Sequence, residues 1–199
     1  MLKLYAAKGT IAVASAFVLE EIGTPYDLHL IDFSSGEQTK PPFLGVNAKA
    51  RVPALETPQG VLTETGAILE FLAPDWMPAD LFKQAQVRSM IHYLASTMHV
   101  NHAHKLRGSR WSDDPAVIAA MKIKVPQTMS NSCAYVESQI TGPFLFGDTL
   151  TIADAHLLPI LGWLEGDGVD IANYPKLDAL HKVLLARPSI VRLREKGAL

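Results

Sequence analysis

The densest run of chemically capable side chains lies between His92 and Trp111, where His92, His99, His102 and His104 are followed by Lys105, Arg107 and Arg110. Imidazoles at this density raise the question of a metal. His99 and His102 can share one helix face, but at about 100° per residue His104 is turned roughly 200° from His102, so the three cannot ligate one ion from a regular helix. No metal is therefore expected. His99 and His102 are instead candidate substrate-cleft residues, with His104 at the surface or an interface. Lys105, Arg107 and Arg110 can recognise an acidic co-substrate, although cations near a helix C-terminus are also what the helix dipole favours without any ligand.

A second stretch offers backbone rather than side chains. Ala54 to Thr57 and Val61 to Glu64 read as two short strands around a Pro58-Gln59-Gly60 turn, a hairpin composition. Thr63-Glu64-Thr65-Gly66 then precede the apolar series Ile68, Leu69, Phe71, Leu72, so small polar side chains are expected to cap a helix start there. Free N–H groups and the dipole at such a terminus favour a carboxylate ligand. Just before the hairpin, Pro53 cannot donate to a ladder and holds Val52 extended, which presents the Val52 backbone to a peptide-like ligand.

The elements that must position these groups follow from periodicity. Leu2, Leu4 and Ala6 alternate with Lys3 and Tyr5 as a first strand. Residues 11 to 22 are apolar around most of their circumference, which suits a helix packed on both sides, and Gly23 and Pro25 stop it. Thr10 is a natural N-cap for that helix. Tyr26 to Ile31 alternates again, and Asp32 to Gly45 is expected to be poorly ordered. The resulting order is β-α-β, an irregular stretch, then β-β-α. Residues 74 to 80 read as a linker, and everything beyond as helical: 81 to 111 as one long segment, 115 to 140 bent at Pro126, then 152 to 165, 176 to 187 and 189 to 196. Thr151 and Asp154 form a capping box. Cys133 sits at helical spacing with Met129, Val136 and Ile140, as a packed core thiol does. Met98 and Trp111 are candidate linings for an apolar pocket.

Composition bounds the function. The 199 residues are 48% hydrophobic and 19% charged, enough for a substantial core. A net charge of −2 with no basic stripe argues against nucleic acid as a partner. Ile11 to Leu19 is too short to span a bilayer and lacks signal-peptide flanks, so no membrane association and a cytoplasmic location are expected. One cysteine excludes an internal disulfide and a Cys-x-x-Cys pair.

Arg51-Val52-Pro53-Ala54-Leu55 resembles the "VPAL" segment of the glutathione transferases, and Leu62-Thr63-Glu64-Thr65 resembles their "L-x-E-S" segment with Thr for Ser. Gly147-Asp148 with Thr151-Ile152-Ala153-Asp154, Tyr174-Pro175 and Arg187-Pro188 resemble later segments of the same family. The resemblance implies a thioredoxin-like domain over 1–75 and an all-helical domain over 81–199. It also implies a cis Pro53, glutathione as co-substrate, glutathione-binding roles for Arg51, Val52, Pro53, Glu64, Thr65 and Thr10, a homodimer, and conjugation of the glutathione thiolate to a small hydrophobic electrophile. Lys3-Leu4-Tyr5 and Gly9 are most similar to the bacterial beta class, in which Cys and Ser stand two and three residues past the glycine. Ile11 and Ala12 occupy those positions here, and neither side chain can donate to a thiolate. Three readings stay open: Thr10 holds the thiolate, Tyr5 does, or glutathione is bound with little catalysis. His99 falls where that class has a ligand-proximal histidine. Glutathione-dependent disulfide or peroxide reduction and a non-catalytic binding or protein-interaction module are the alternatives to conjugation.

Overall fold

The computed structural model describes all residues from Met1 to Leu199. Strand β1 (Leu2–Ala6) leads through a turn into helix α1 (Val13–Ile22), and β2 (Tyr26–Leu30) returns beside β1. A short helix α2 (Phe43–Val46), the hairpin β3 (Ala54–Thr57) and β4 (Gly60–Thr63), and helix α3 (Thr65–Leu72) complete this half. The sheet order is β2-β1-β3-β4, with β1 parallel to β2 and antiparallel to β3. This is the mixed sheet of a thioredoxin-like domain, in the element order expected from periodicity. The hairpin register pairs Ala54 with Thr63 and Thr57 with Gly60. Asp32 to Gly45 is more regular than expected: Asp32 accepts from the Ser34 N–H and hydroxyl, a 3₁₀ turn forms at Glu37–Thr39, and α2 follows. Short-range polar bonds, invisible to apolar periodicity, order it.

The remainder is helical: α4 (Leu81–Tyr93), α5 (His99–Ala103), α6 (Pro115–Gln139), α7 (Ile152–Leu161), α8 (Pro175–Leu185) and α9 (Pro188–Glu195). The expected single helix over 81–111 is not formed. Instead a π-helical turn, Leu94–Met98, joins α4 to α5, and the helix ends at Ala103, with only a 3₁₀ turn at Gly108–Arg110. Such one-turn insertions rotate every following side chain, and they gather at functional sites. Helix α6 runs uninterrupted through Pro126, at the cost of one backbone bond.

The core is shared between the two halves. Helix α1 is buried from Val13 to Glu20, and α7 over its whole length. The apolar circumference of residues 11 to 22 is thus explained: α1 has sheet on one side and α7 and α9 on the other. Its acidic C-terminal turn runs against its own dipole and is neutralised from α9: Arg192 and Lys196 hold Glu20 at 2.7 and 2.5 Å, and Arg187 holds Glu21 at 2.5 Å. Burial pushes the Glu20 carboxyl up, but these bonds outweigh it and leave its pKa lowered. Asp154, fully buried, accepts from the Thr151 N–H and hydroxyl and from the Leu145 N–H at 2.7–2.8 Å, tying the start of α7 to the preceding loop. Gly66 lets α3 approach α4, since a Cβ there would stand 2.6 Å from Ile91 Cγ2. Cys133 is packed in the core, its thiol pushed up to about 12 by burial.

Candidate functional site

Where the sheet half meets α4 and α5, a cleft runs between them in two connected halves of about 450 and 440 Å³, which share Ile11, Arg51, Val52, Ala95 and His99. The unpaired polar groups of the inner half are largely backbone. Val52 precedes a cis peptide bond to Pro53, as the resemblance implied, and its N–H and C=O pair with no protein group. Asn47 fixes this loop by donating to the Arg51 carbonyl at 2.6 Å and accepting the Lys49 N–H at 3.1 Å. Opposite, α3 begins with no side-chain cap, contrary to expectation. The N–H groups of Thr65, Gly66 and Ala67 and the Thr65 hydroxyl make no hydrogen bond, so a row of donors faces the cleft at a helix N-terminus. Glu64, which precedes them, holds a left-handed φ of 71°, a conformation costing a non-glycine residue about 1–3 kcal/mol. Its carboxylate is held by Lys49 at 2.5 Å.

The turn after β1 forms the floor, with Ile11 lining both halves and Gly9 and Thr10 the outer one. Gly9 has φ 65°, its N–H donates to the Ala198 carbonyl at 3.0 Å, and its own carbonyl accepts from Trp163 Nε1 at 2.7 Å. The Thr10 hydroxyl lines the cleft but donates to the Ala7 carbonyl at 2.7 Å, and it receives the Ala12 N–H only at 3.4 Å. Thr10 is therefore a poor cap, and α1 starts at Val13 after a turn in which the Val13 and Ala14 amides bond back to Thr10 and Ile11. The Ile11 N–H remains free at the end of the α1 dipole.

Tyr5 is placed elsewhere. Alternation along β1 turns it to the sheet face away from the cleft, where its ring packs against His29 and Phe43 and its hydroxyl donates to Glu56 at 3.1 Å. It lines neither half, which corrects the reading of Tyr5 as a thiol contact.

The outer half is built of side chains. His102 stacks on Trp163 at 4.2 Å and bonds through Nδ1 to the buried Asp167 carboxylate at 2.7 Å, with Lys105 at 3.4 Å from the other oxygen. His99 lies against the same indole at 5.1 Å, and burial, reinforced by His102, Arg110 and Arg51, lowers its pKa to about 4. It is neutral at neutral pH. His104 turns away to meet Trp111 edge-on. No three His, Cys, Asp or Glu side chains converge as a metal site would require. Trp111 lines this half, whereas Met98 is fully buried outside it. Trp163, Asp167, Phe33 and Gln38 were not expected here. Their only sequence signal is an aromatic or polar residue beside a helix or turn, which packing explains as well.

A thioredoxin-like sheet domain joined to an all-helical one, with a cleft of unpaired backbone groups between them, defines a narrow class of proteins. Residues 1–74 match the glutathione S-transferase N-terminal domain family and residues 103–197 the glutathione S-transferase C-terminal domain family. The chain is 44% identical to a glutathione transferase homolog from Sulfitobacter with bound glutathione, covering 100% of this chain and 99% of that one at a TM-score of 0.97. It is 30% identical to a glutathione transferase from Methylococcus capsulatus over 99% and 98% of the two chains, at a TM-score of 0.83. A curated relative, glutathione S-transferase GST-4.5 from Xanthomonas campestris, is 26% identical over 193 residues, 93% of each chain. The chain belongs to the glutathione transferase family.

Proposed function

We propose that this chain is a glutathione transferase that binds glutathione along the inner half of the cleft and holds its sulfur as a thiolate beside Ile11 and Thr10. The observation that carries this reading is the set of unpaired backbone groups: the Val52 N–H and C=O on one wall, the Thr65 to Ala67 amides on another, and the Ile11 N–H at the floor between. A tripeptide satisfies all three. Its cysteinyl backbone pairs with Val52, its γ-glutamyl carboxylate meets the α3 amides and the Thr65 hydroxyl, and its ammonium competes with Lys49 for Glu64. That the Sulfitobacter relative has bound glutathione supports glutathione as this tripeptide.

The Ile11 amide and the α1 dipole supply a positive field at the sulfur, which favours the thiolate over the thiol. The thiol proton passes to solvent, the sulfur attacks an electrophilic carbon in the outer half, a C–S bond forms, and the leaving group departs with its electron pair. Thr10 assists once its hydroxyl turns from Ala7 toward the sulfur. Kinship with the beta class, a homodimeric state and a cytoplasmic location belong to the same proposal, the first resting on Lys3-Leu4-Tyr5 and Gly9. The test is an ultraviolet difference titration of the glutathione-saturated protein. A thiolate band with a midpoint well below that of free glutathione is expected, raised by no more than about one pH unit in Thr10→Ala because the Ile11 amide remains, and unmoved in Tyr5→Phe. Binding without a thiolate near neutral pH would replace the transferase with a glutathione-binding module.

A further inference from the structure

The outer half of the cleft is cationic in a way that conjugation of a neutral electrophile does not require. Arg51 comes from the loop before β3, while Arg107 and Arg110 follow α5, and all three line this half. None holds a carboxylate, whereas Arg88, Arg187 and Arg192 each do. No Asp or Glu lines the outer half. The nearest buried acid, Asp167, lies behind the Trp163 and His102 rings and is already engaged by His102 and Lys105. Arg107 is stacked 5.5 Å from the Phe33 ring, which orients its plane without neutralising it. Arg110 has its pKa lowered by burial and by repulsion from Arg51 and Arg107. Like charges gathered without counter-ions cost folding free energy, and an arriving anion removes that cost. The walls between them are apolar and aromatic: Ile11, Val100, Leu106, Trp111 and Trp163.

We infer that this half takes a carboxylate-bearing planar electrophile, its anion held in the forks of Arg107 and Arg110 and its apolar body against Trp111 and Trp163. Arg51, at the junction of the halves, is shared with glutathione. The inference rests on the glutathione-transferase reading for the chemistry but not for the binding. An activated aryl halide bearing a ring carboxylate fits the description: the thiolate sulfur bonds the halogen-bearing carbon and halide leaves, while the carboxylate stays anchored and aims the ring.

The experiment uses a pair that differs only in charge, 3,5-dinitrobenzoate and 3,5-dinitrobenzamide, neither with a leaving group at the attacked carbon. Each is titrated calorimetrically into the full-length protein, alone and saturated with S-methylglutathione, which has no thiol to ionise. The carboxylate is expected to bind at least about 10-fold more tightly than the amide, the scale of one charge-assisted bidentate contact. Arg107→Gln and Arg110→Gln should each shrink the ratio, the double variant should bring it near one, and Arg110→Lys should restore part of it. Rising salt should weaken only the carboxylate. Equal affinity of carboxylate and amide in the wild type, or a ratio that survives the double variant with an unchanged melting profile, would overturn the inference. Failure of S-methylglutathione to bind would count against the glutathione reading alone, because the dinitro ligands report on the arginines without it.

Discussion

The two halves of the cleft bind by opposite means. The inner half offers unpaired backbone: Val52, the start of α3 and the Ile11 amide leave their hydrogen-bonding groups free, with the Thr65 hydroxyl beside them. The outer half offers charges and rings, borne by Arg51, Arg107, Arg110, His99, His102 and two tryptophans. Backbone recognition depends on where the chain is, and side-chain recognition on which residue it carries. A family can therefore keep one co-substrate while the other varies, if the first is read by the fold and the second by the surface it displays.

That contrast can be broken by mutation. The largest effect on glutathione binding is expected from the unpaired hydroxyl at the start of α3: Thr65→Val should weaken it by about 10-fold or more by calorimetry, with Thr65→Ser close to wild type. An unaffected Thr65→Val would mean the α3 amides suffice.

A separate effect, on stability rather than on binding, comes from acid beneath the cleft. His156, wholly buried on α7 with neither ring nitrogen bonded, has its pKa lowered to about 3 by burial, and His99 to about 4. The unfolded chain binds protons near pH 6.5 that the folded chain refuses, so stability is complete above pH 6.5 and falls as the pH drops toward the folded values. At pH 5 the cost of keeping His156 neutral is about 2 kcal/mol, a melting-temperature drop of roughly 4–8 °C. His156→Leu should flatten that slope, whatever it does to stability at pH 7. A slope unchanged in the variant would place the proton uptake elsewhere.

The smallest effect sharpens the comparison most. Val52→Ala removes two methyl groups but leaves both backbone groups in place, and glutathione affinity should change by less than about 3-fold. A loss as large as that of Thr65→Val would show that the inner half reads side chains after all.

The same division governs what could be read before any coordinates. The hairpin and the start of α3 are local features, and Pro53, the Pro58-Gln59-Gly60 turn and the apolar series after Gly66 announce them within one short stretch of chain. The inner half was legible for that reason. Even there, the small polar side chains expected to cap α3 do not, and Thr63 and Glu64 are both held by Lys49, fourteen and fifteen residues earlier, a pairing without local signal. Tyr5 was misplaced because alternation tells that two faces exist but not which one meets the helical half. The outer half was legible only as a list of histidines and arginines. The π turn at Leu94–Met98 that sets their direction leaves the apolar pattern nearly intact, and Trp163 reaches the cleft, with Asp167 behind it on His102, from about sixty residues beyond α5.

The Gly9 turn carries a further implication. Its N–H is spent on Ala198 and its carbonyl on Trp163, so the floor of the cleft is fastened to the far end of the helical half. Coupling of this kind is reciprocal: a ligand that steadies the turn must steady residue 198 by the same free energy, and a change that loosens residue 198 must loosen the ligand. Protection of the Gly9 amide against hydrogen exchange thus becomes a gauge of occupancy, read at a bond that spans nearly the entire sequence.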